Sequence, residues 1–371
     1  TGKLDTQQIL EKIRLYTGKK IEYGKTLLFL DEIQECPLAL KMLRYFKERC
    51  PELHVIAAGS LLDFLLEKIS MPVGRVQFLY CYPLSFGEFL TASDRSDLRE
   101  YIRSEDIDPS IHIRLLELLK TYMWLGGMPA VVDAWLKLAD AEKCCSLQDR
   151  IITAYQQDFL KYAKKNQIRN VESVFLSIPK QLGNKFKYTS VDNTGKSQSL
   201  KNALSLLFMA GISYPCFHSS GQGHPLGANK NEKRFKVFFF DVGLAQRIMG
   251  LTLKDWVTAP IDVKYLGAVA EQLIAQEYIA YSNPEKPYEL YYWHREEAGS
   301  NAEVDFLFLK DKLIIPVEVK SGVKGGMKSI KQFLNTHPHS KYGLKISQGI
   351  KQQNQHMQEI SLYGLEAWLK S

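Results

Sequence analysis

The chain has 371 residues, of which 45% are hydrophobic and 24% are charged, the ordinary balance of globular proteins. This composition excludes a disordered or collagen-like chain, and no run of about 18 apolar residues is present, so no membrane span is expected. The net charge of +7 is concentrated in residues 151–255, which carry 15 Lys and Arg against 6 Asp and Glu. Such a segment is typical of a protein that binds a phosphate backbone, with a solvated Lys-rich surface as the alternative.

The first predicted strand ends in two carboxylates. Leu27–Leu30 is fully apolar, which predicts a strand buried on both faces, as in a parallel sheet. Asp31 and Glu32 follow at its carboxyl end, where open α/β sheets bind ligands. Four apolar residues and then Asp-Glu form the Walker B pattern, in which the Asp holds Mg²⁺ and the Glu polarises the attacking water. A buried strand followed by a chance acidic pair is the alternative.

A helix over 37–50 and a second apolar strand over 54–58 are predicted next. Ser60 follows this strand, where a polar sensor would contact the γ-phosphate or orient the water. Arg75 is a candidate arginine finger, supplied to this site or to a neighbouring subunit of a homo-oligomer. An ordinary surface or ion-pairing arginine is the alternative for Arg75.

Four segments carry a family resemblance, and they occur in this order: Leu27–Gln34, Ala57–Ser60, Gly74–Val76 and Pro83–Phe89. Together they resemble the predicted prokaryotic AAA-type ATPases, in which a restriction-endonuclease-like domain follows the ATPase. The resemblance extends over the whole chain and implies ATP and Mg²⁺ as cofactors. It assigns Asp31 and Glu32 to Walker B, Ser60 to the sensor position and Arg75 to the finger. The ATPase core would span residues 1–92.

The P-loop of this family is not found in the chain. A P-loop has the form G-x-x-x-x-G-K-[ST] and lies on a strand-to-helix turn upstream of Walker B. Gly24-Lys25-Thr26 matches its end, but Lys19 stands where the first Gly is required, and the triplet leads directly into a strand. We interpret the triplet as a turn. Because the chain begins at Thr1 rather than with Met, we expect the P-loop to be missing from a truncated chain that alone binds ATP weakly or not at all.

Residues 93–160 are predicted to be a helical lid. Ile111, Leu115 and Leu119 fall on one face of a helix, and Gly126–Pro129 interrupts the helical pattern before it resumes. A plain helical connector predicts the same pattern.

Residues 161–255 have the order of elements of a winged helix. Two amphipathic helices, over 171–182 and 199–210, precede two apolar strands, over 212–217 and 235–240. The second helix would enter the major groove of duplex DNA. The candidate phosphate contacts are all basic and flank this helix or the wing: Lys196, Lys201, Lys230, Lys233, Arg234 and Lys236. A protein-docking module is the alternative.

Residues 256–371 contain a nuclease-like set of charges. Alternation along two strands joined by a hairpin places Asp305 on one strand and Glu318 with Lys320 on its neighbour. This is the PD-(D/E)XK pattern, in which the acids and a backbone carbonyl bind Mg²⁺ and the lysine activates water. Glu271, on a preceding helix, would be the family's helical acid. The alternative is a relic fold whose charges pair with one another.

The six cysteines include no C-x-x-C pair, which favours reduced thiols in the cytoplasm. The sequence therefore predicts an α/β multidomain protein without membrane association. It would have a partial AAA-type P-loop NTPase core with a helical lid, a winged helix and a restriction-endonuclease-like α/β domain. The leading hypothesis is an ATPase that acts with duplex DNA. A metal-dependent nuclease regulated by the ATPase domain and a non-catalytic DNA-binding or docking module are the alternatives.

Overall fold

A computed structural model describes residues 5–59, 74–104, 106–193, 197–258, 263–295, 302–323 and 325–371. Two candidate site residues, Ser60 and Lys196, lie outside these ranges. The chain divides into two compact units, Thr1–Leu79 and Tyr80–Ser371, which are described separately. In the described ranges, no helix has both the length and the apolar character needed to span a bilayer.

The N-terminal unit is a two-stranded parallel sheet with helices against one face. Its elements are α1 Thr6–Thr17, β1 Leu27–Leu30, α2 Pro37–Arg49 and β2 His54–Ala57. Leu28 and Val55 face a small core that includes Leu10 and Phe46 of the two helices.

The opposite face of this sheet is exposed, and the expectation of a strand buried on both faces was wrong. Phe29 of β1 is 55% exposed and Ile56 of β2 is 51% exposed. Among the described residues of this unit, α1 and α2 supply the helical part of the core, and they cover the other face of the sheet.

Helices dominate the first half of the C-terminal unit and recur between its strands. They are α3 Phe86–Ala92, α4 Ser96–Tyr101, α5 Pro109–Leu125, α6 Pro129–Leu138, α7 Ala141–Tyr162, α8 Ile168–Ser177, α9 Ser197–Met209, α10 Val242–Ile248, α11 Leu253–Thr258, α12 Val263–Ala280, α13 Lys328–Thr336 and α14 Leu365–Lys370. Most of these helices contribute side chains to one hydrophobic core, while α13 packs through Ile330 and Phe333 in a second, smaller core.

The strands of the C-terminal unit form two sheets. They are β3 Ser213–Ser219, β4 Lys230–Phe239, β5 Leu290–His294, β6 Glu303–Val304, β7 Phe306–Lys310, β8 Leu313–Val319, β9 Gly343–Ser347, β10 Gln352–Asn354 and β11 Met357–Ser361. One sheet has the order β4-β3-β5-β6 and the other β10-β11-β9-β8-β7. Asp305 lies at the bend between β6 and β7, where the chain passes from the first sheet to the second.

The predicted wing is part of a larger sheet. β3 and β4 form an antiparallel hairpin, as expected of a wing, but β3 also pairs in parallel with β5. Segments 161–255 and 256–371 therefore share one sheet, and segment 93–160 packs with both in one core, so the hairpin does not extend freely from a separate small domain.

Helix α12 is fixed by buried polar side chains that follow Glu271 in sequence. Gln272 accepts a hydrogen bond from the backbone N–H of Phe239 and donates one to the carbonyl of the same residue, both at 2.7 Å. Glu277 accepts from the N–H of Phe86 at 2.8 Å. Because these groups are buried, breaking any of these bonds leaves an unsatisfied polar group, which fixes the position of Glu271 along the helix.

The sequence motifs Pro83–Phe89 and Gly126–Pro129 contact each other within this unit. Gly127 of the Gly126–Pro129 turn donates its N–H to the buried carboxylate of Asp241 at 2.7 Å and accepts at its carbonyl from the N–H of Leu84 at 2.8 Å. A Cβ at Gly127 would overlap the backbone carbonyl of Leu84. The Pro83–Phe89 and Gly126–Pro129 motifs therefore hold neighbouring backbone segments together.

Candidate functional sites

The carboxylates of Asp31 and Glu32 lie at the carboxyl edge of the parallel strand pair. The two strand ends are joined by hydrogen bonds from Ala58 N to Leu30 O at 2.8 Å and from Ile33 N to Ala58 O at 3.0 Å. Asp31 Oδ1 accepts from the N–H of Glu32 at 3.0 Å. Both side chains are exposed. The oxygens that the sequence assigns to Mg²⁺ and water are thus accessible to a ligand.

Glu32 is held in a left-handed backbone conformation. Its φ is 47°, which is uncommon for a residue other than Gly, Asn or Asp. Its carboxylate accepts a hydrogen bond from the side-chain amide of Gln34. Within the described ranges, neither Glu32 nor Asp31 has a lysine or arginine at ion-pair distance, so both carboxylates retain capacity to bind a cation.

Arg75 forms an ion pair within the N-terminal unit. Its Nε lies 2.7 Å from Oε1 of Glu48, which also contacts Arg44 at 3.0 Å. Hydrogen bonds from Arg44 and Arg75 lower the pKa of Glu48. This contact matches the ion-pairing alternative for Arg75. The arginine-finger role stays a prediction.

The C-terminal unit has a carboxylate cluster, formed by Glu271, Glu303, Asp305 and Glu318, with a buried lysine at its centre. Lys236 Nζ lies 2.7 Å from Glu303 Oε1, 3.1 Å from Glu271 Oε2 and 3.9 Å from Asp305 Oδ1. Lys236 is 1% exposed, and so it cannot contact a nucleic-acid phosphate in this arrangement. The assignment of Lys236 to the phosphate-binding wing is therefore corrected. From this residue onward β4 is buried, since it pairs with β3 and contacts α12.

Glu318 of β8 and Lys320, which directly follows this strand, complete the site. Lys320 Nζ lies 2.5 Å from Glu318 Oε1, while Glu318 Oε2 is buried and has no hydrogen-bond partner. Asp305 Oδ2 accepts from the N–H of Val319 at 2.8 Å. The structure thus brings together Glu271, Asp305, Glu318 and Lys320, as the sequence pattern requires.

The protonation equilibria of the cluster are coupled. Burial raises the pKa of Glu271 to about 8 against the opposing effect of Lys236, and burial together with the charge of Asp305 raises the pKa of Glu318 to about 7. Burial disfavours the charge of Lys236, but the surrounding carboxylates outweigh it, so its pKa lies well above the ordinary value. Lys236 is therefore the stable cation of this site.

A divalent metal ion does not fit the cluster in this arrangement. Among the described residues, no group of three or more His, Cys, Asp or Glu side chains has a geometry that could hold a metal. The ammonium group of Lys236 lies between the carboxylates of Glu271, Glu303 and Asp305. A metal ion in this position would have to bind oxygens of the same three carboxylates.

A lysine pocket opens beside the carboxylate cluster, with a volume of about 440 Å³. Its lining residues are Lys180, Gln181, Gly183, Asn184, Lys185, Lys187, Ser190 and Glu303. Lys185 forms an isolated antiparallel bridge with Lys236, and its Nζ lies 3.8 Å from Glu303 Oε2. Glu303 therefore faces the buried Lys236 with one oxygen and the lysine pocket with the other.

Sequence reasoning missed Lys185, the central position of Lys236 and the role of Glu303. One signal was available for Lys236, which stands inside the apolar run 235–240, where a charge needs a buried partner. No comparable signal marked Lys185, because it lies in a turn-rich segment with several other lysines.

The other candidate phosphate contacts that the structure describes are on the surface. Lys201 lies on the exposed side of α9, and Lys233 and Arg234 are exposed on β4. Lys230 pairs with Glu232 at 2.9 Å and lies 5.1 Å from the ring centroid of Phe217. The positions of these four residues leave their role in DNA binding a prediction.

A larger cavity of about 850 Å³ is lined by residues of α7, α10 and α11. Arg247 and Asp149 form a two-pronged ion pair in its wall, at 2.7 and 2.6 Å. This cavity shares no lining residue with the carboxylate cluster or the lysine pocket.

Three family models match successive parts of the chain. Residues 2–90 match an AAA domain, residues 116–255 match a domain of unknown function (DUF8612), and residues 266–365 match another domain of unknown function (DUF4143). No curated protein and no solved structure matches the chain.

The AAA match, with DUF4143, a domain found in proteins associated with AAA ATPases, supports an AAA-type ATPase family. It indicates an ATPase-like function and nucleotide binding in general.

Proposed function

We propose that this chain carries the hydrolytic part of a Mg-ATP site in an AAA-type ATPase. The observation that carries the proposal is the pair of exposed carboxylates, Asp31 and Glu32, directly beyond the carboxyl end of a parallel strand pair. The AAA match over residues 2–90 supports it independently.

Asp31 and Glu32 have separate tasks in this proposal. Asp31 would hold Mg²⁺, which supplies charge neutralisation at the phosphates when bound. Glu32 would orient the attacking water, and its left-handed backbone directs the chain away from β1 immediately after the strand. Neither carboxylate has to be released from an ion pair with a described residue before it can act.

The 371 residues contain no G-x-x-x-x-G-K-[ST] motif, so this chain by itself should bind Mg-ATP weakly. The first test is therefore the natural sequence upstream of Thr1. A natural polypeptide without a P-loop there would refute the ATPase proposal.

The second test measures Mg-dependent hydrolysis by that natural polypeptide. Glu32→Gln should retain nucleotide binding and reduce turnover by about 100-fold or more, since it removes only the group that orients water. The matched control is Glu52→Gln, which neutralises another exposed glutamate of the same unit. Equal turnover in wild type and Glu32→Gln would refute the assignment.

We further propose that the protein acts with duplex DNA through its basic surface. Support comes from the excess of Lys and Arg in residues 151–255 and from the lysine pocket beside the carboxylate cluster. A phosphate group suits this pocket because Lys180 and Lys187 have no ion-pair partner among the described residues, and Lys185 has only a distant one.

A metal-dependent nuclease is the second candidate function. The observation that favours it is the convergence of Glu271, Asp305, Glu318 and Lys320. Lys236 weighs against it, because its ammonium group lies among the oxygens that a catalytic metal would need. Nicking of plasmid DNA with Mg²⁺ or Mn²⁺, compared between wild type and Asp305→Asn with Glu318→Gln, tests it; equal products would exclude cleavage at this site.

A further inference from the structure

The ammonium group of Lys236 occupies the position that a metal ion would need in the carboxylate cluster. We infer that Lys236 is the resident cation of this cluster and excludes divalent metal ions, so that a latent metal site is created when this one charge is removed. The inference rests on the same arrangement of acidic residues that suggested the second candidate function. It predicts that the native domain does not bind a metal ion at that site.

The contacts of Lys236 are those of a cation site built for an ammonium group. Its carboxylate partners come from three different parts of the fold: Glu271 from α12, Glu303 from β6 and Asp305 from the bend. The contacts of 2.7 and 3.1 Å are hydrogen-bond distances, whereas Mg²⁺ requires oxygens at about 2.0–2.1 Å. An ammonium group with three donors suits this arrangement.

The side chain of Lys236 is confined to the carboxylate cluster. Its backbone is in β4, between the pairing with β3 and the bridge to Lys185. Its side chain is 1% exposed, and Nζ lies 5.5 Å from the ring centroid of Tyr292. A divalent ion would therefore have to enter beside an ammonium group that shares its ligands, and the two cations would repel each other.

The charge balance shows what removal of Lys236 would do. The four carboxylates of the cluster are opposed by Lys236 at its centre, by Lys320 at Glu318 and by Lys185, which lies 3.8 Å from Glu303 at the exposed edge. Without Lys236, Lys320 stays engaged with Glu318 Oε1 and Lys185 reaches only Glu303 Oε2, so neither lysine replaces the contacts of Lys236 with Glu271 and Asp305. Buried like charges at one site repel unless a cation neutralises them, so the vacated centre would favour a divalent ion.

A second observation points to unused ligand capacity at the same place. Glu318 is 8% exposed, and its Oε2 is buried without a hydrogen-bond partner. The buried hydroxyl of Tyr292 also has no partner. Such groups are costly to leave unsatisfied, and an added ion with its water ligands would satisfy them.

The test measures Mn²⁺ binding directly, by calorimetry and by the electron paramagnetic resonance signal of free Mn²⁺. The variant is Lys236→Met, which keeps a similar length and removes the charge. The matched control is Lys185→Met, which removes a charge beside the same glutamate from the exposed side. Lys236→Met combined with Asp305→Asn tests whether the new site uses the cluster.

We expect Lys236→Met to bind one Mn²⁺ at least about ten-fold more tightly than wild type, with a matching rise in melting temperature. Lys185→Met should resemble wild type, and the combined variant should lose the gain. Lys236→Gln, refolded with and without Mn²⁺, covers the case that Lys236→Met does not fold. Wild-type Mn²⁺ binding that Asp305→Asn abolishes overturns the inference, as does the absence of any gain in both neutral variants. Because the readout is binding, the result is independent of DNA cleavage and ATP hydrolysis.

Discussion

The lysine pocket makes a quantitative prediction about DNA binding. Replacement of Lys180, Lys185 and Lys187 by Gln removes three positive charges from the pocket wall and leaves the carboxylate cluster in place. If the pocket contacts the DNA backbone, the variant should lose both affinity and salt dependence, since phosphate binding by lysine releases counterions.

The size of the effect follows from the ion pairs of these lysines. Each neutralised phosphate contributes about −0.9 to the slope of log K against log salt concentration. Lys180 and Lys187 form no ion pair with another described residue, whereas Lys185 Nζ lies 3.8 Å from Glu303 Oε2. The slope should therefore become shallower by about 1.8 to 2.7. When the salt concentration is raised from about 50 to about 200 mM, both proteins should lose affinity. The factor by which wild type loses affinity should be about 10 to 40 times the factor for the variant.

Fluorescence anisotropy with a labelled duplex, titrated at four salt concentrations, measures this slope. The control variant replaces Lys120, Lys341 and Lys351 by Gln, which removes three exposed charges elsewhere on the same unit. Parallel slopes for wild type and the pocket variant would refute a role for the pocket. Equal losses in the pocket and control variants would mean that only net charge matters.

Three further predictions concern stability and assembly. Gly127→Ala should destabilise the protein by about 2 kcal/mol or more in thermal unfolding, because its Cβ overlaps a backbone carbonyl, whereas Gly267→Ala, in open space on a helix, should be neutral or slightly stabilising. Burial raises the pKa of Asp241 to about 6 against hydrogen bonds from backbone N–H groups. The folded state therefore binds the proton of Asp241 more tightly than the unfolded state, and this carboxyl should contribute a loss of about 3 kcal/mol of stability as the pH rises from about 4 to about 6, in addition to any loss from Glu271 and Glu318. Asp241→Asn should remove this share of the pH dependence, and an unchanged profile in chemical denaturation would contradict the assignment. If Arg75 acts in a neighbouring subunit, mixing Arg75→Ala with Glu32→Gln in the natural polypeptide should restore part of the ATP hydrolysis, and no recovery would leave Arg75 as a partner of Glu48.

Local patterns in the sequence identified several elements correctly. The apolar run before Asp31 predicted β1, and the carboxylates lie just beyond it because residues adjacent in sequence remain adjacent at a strand end. Alternation along β8 predicted that Glu318 and Lys320 share one face, and the two side chains are in contact. The AAA match over residues 2–90 agrees with the resemblance carried by the same motifs.

The position of Lys236 could be decided only by the tertiary structure. Its sequence neighbours made it a basic residue beside an exposed wing, but the pairing of β4 with β3 and its contact with α12 bury it. Its partners come from elements far along the chain: Glu271 from α12, and Glu303 and Asp305 from the junction of the two sheets. A sequence pattern reports which face of its own strand a side chain occupies. Whether that face meets solvent, a metal ion or another charged residue depends on the elements that cover it, and here they bring three carboxylates around a lysine.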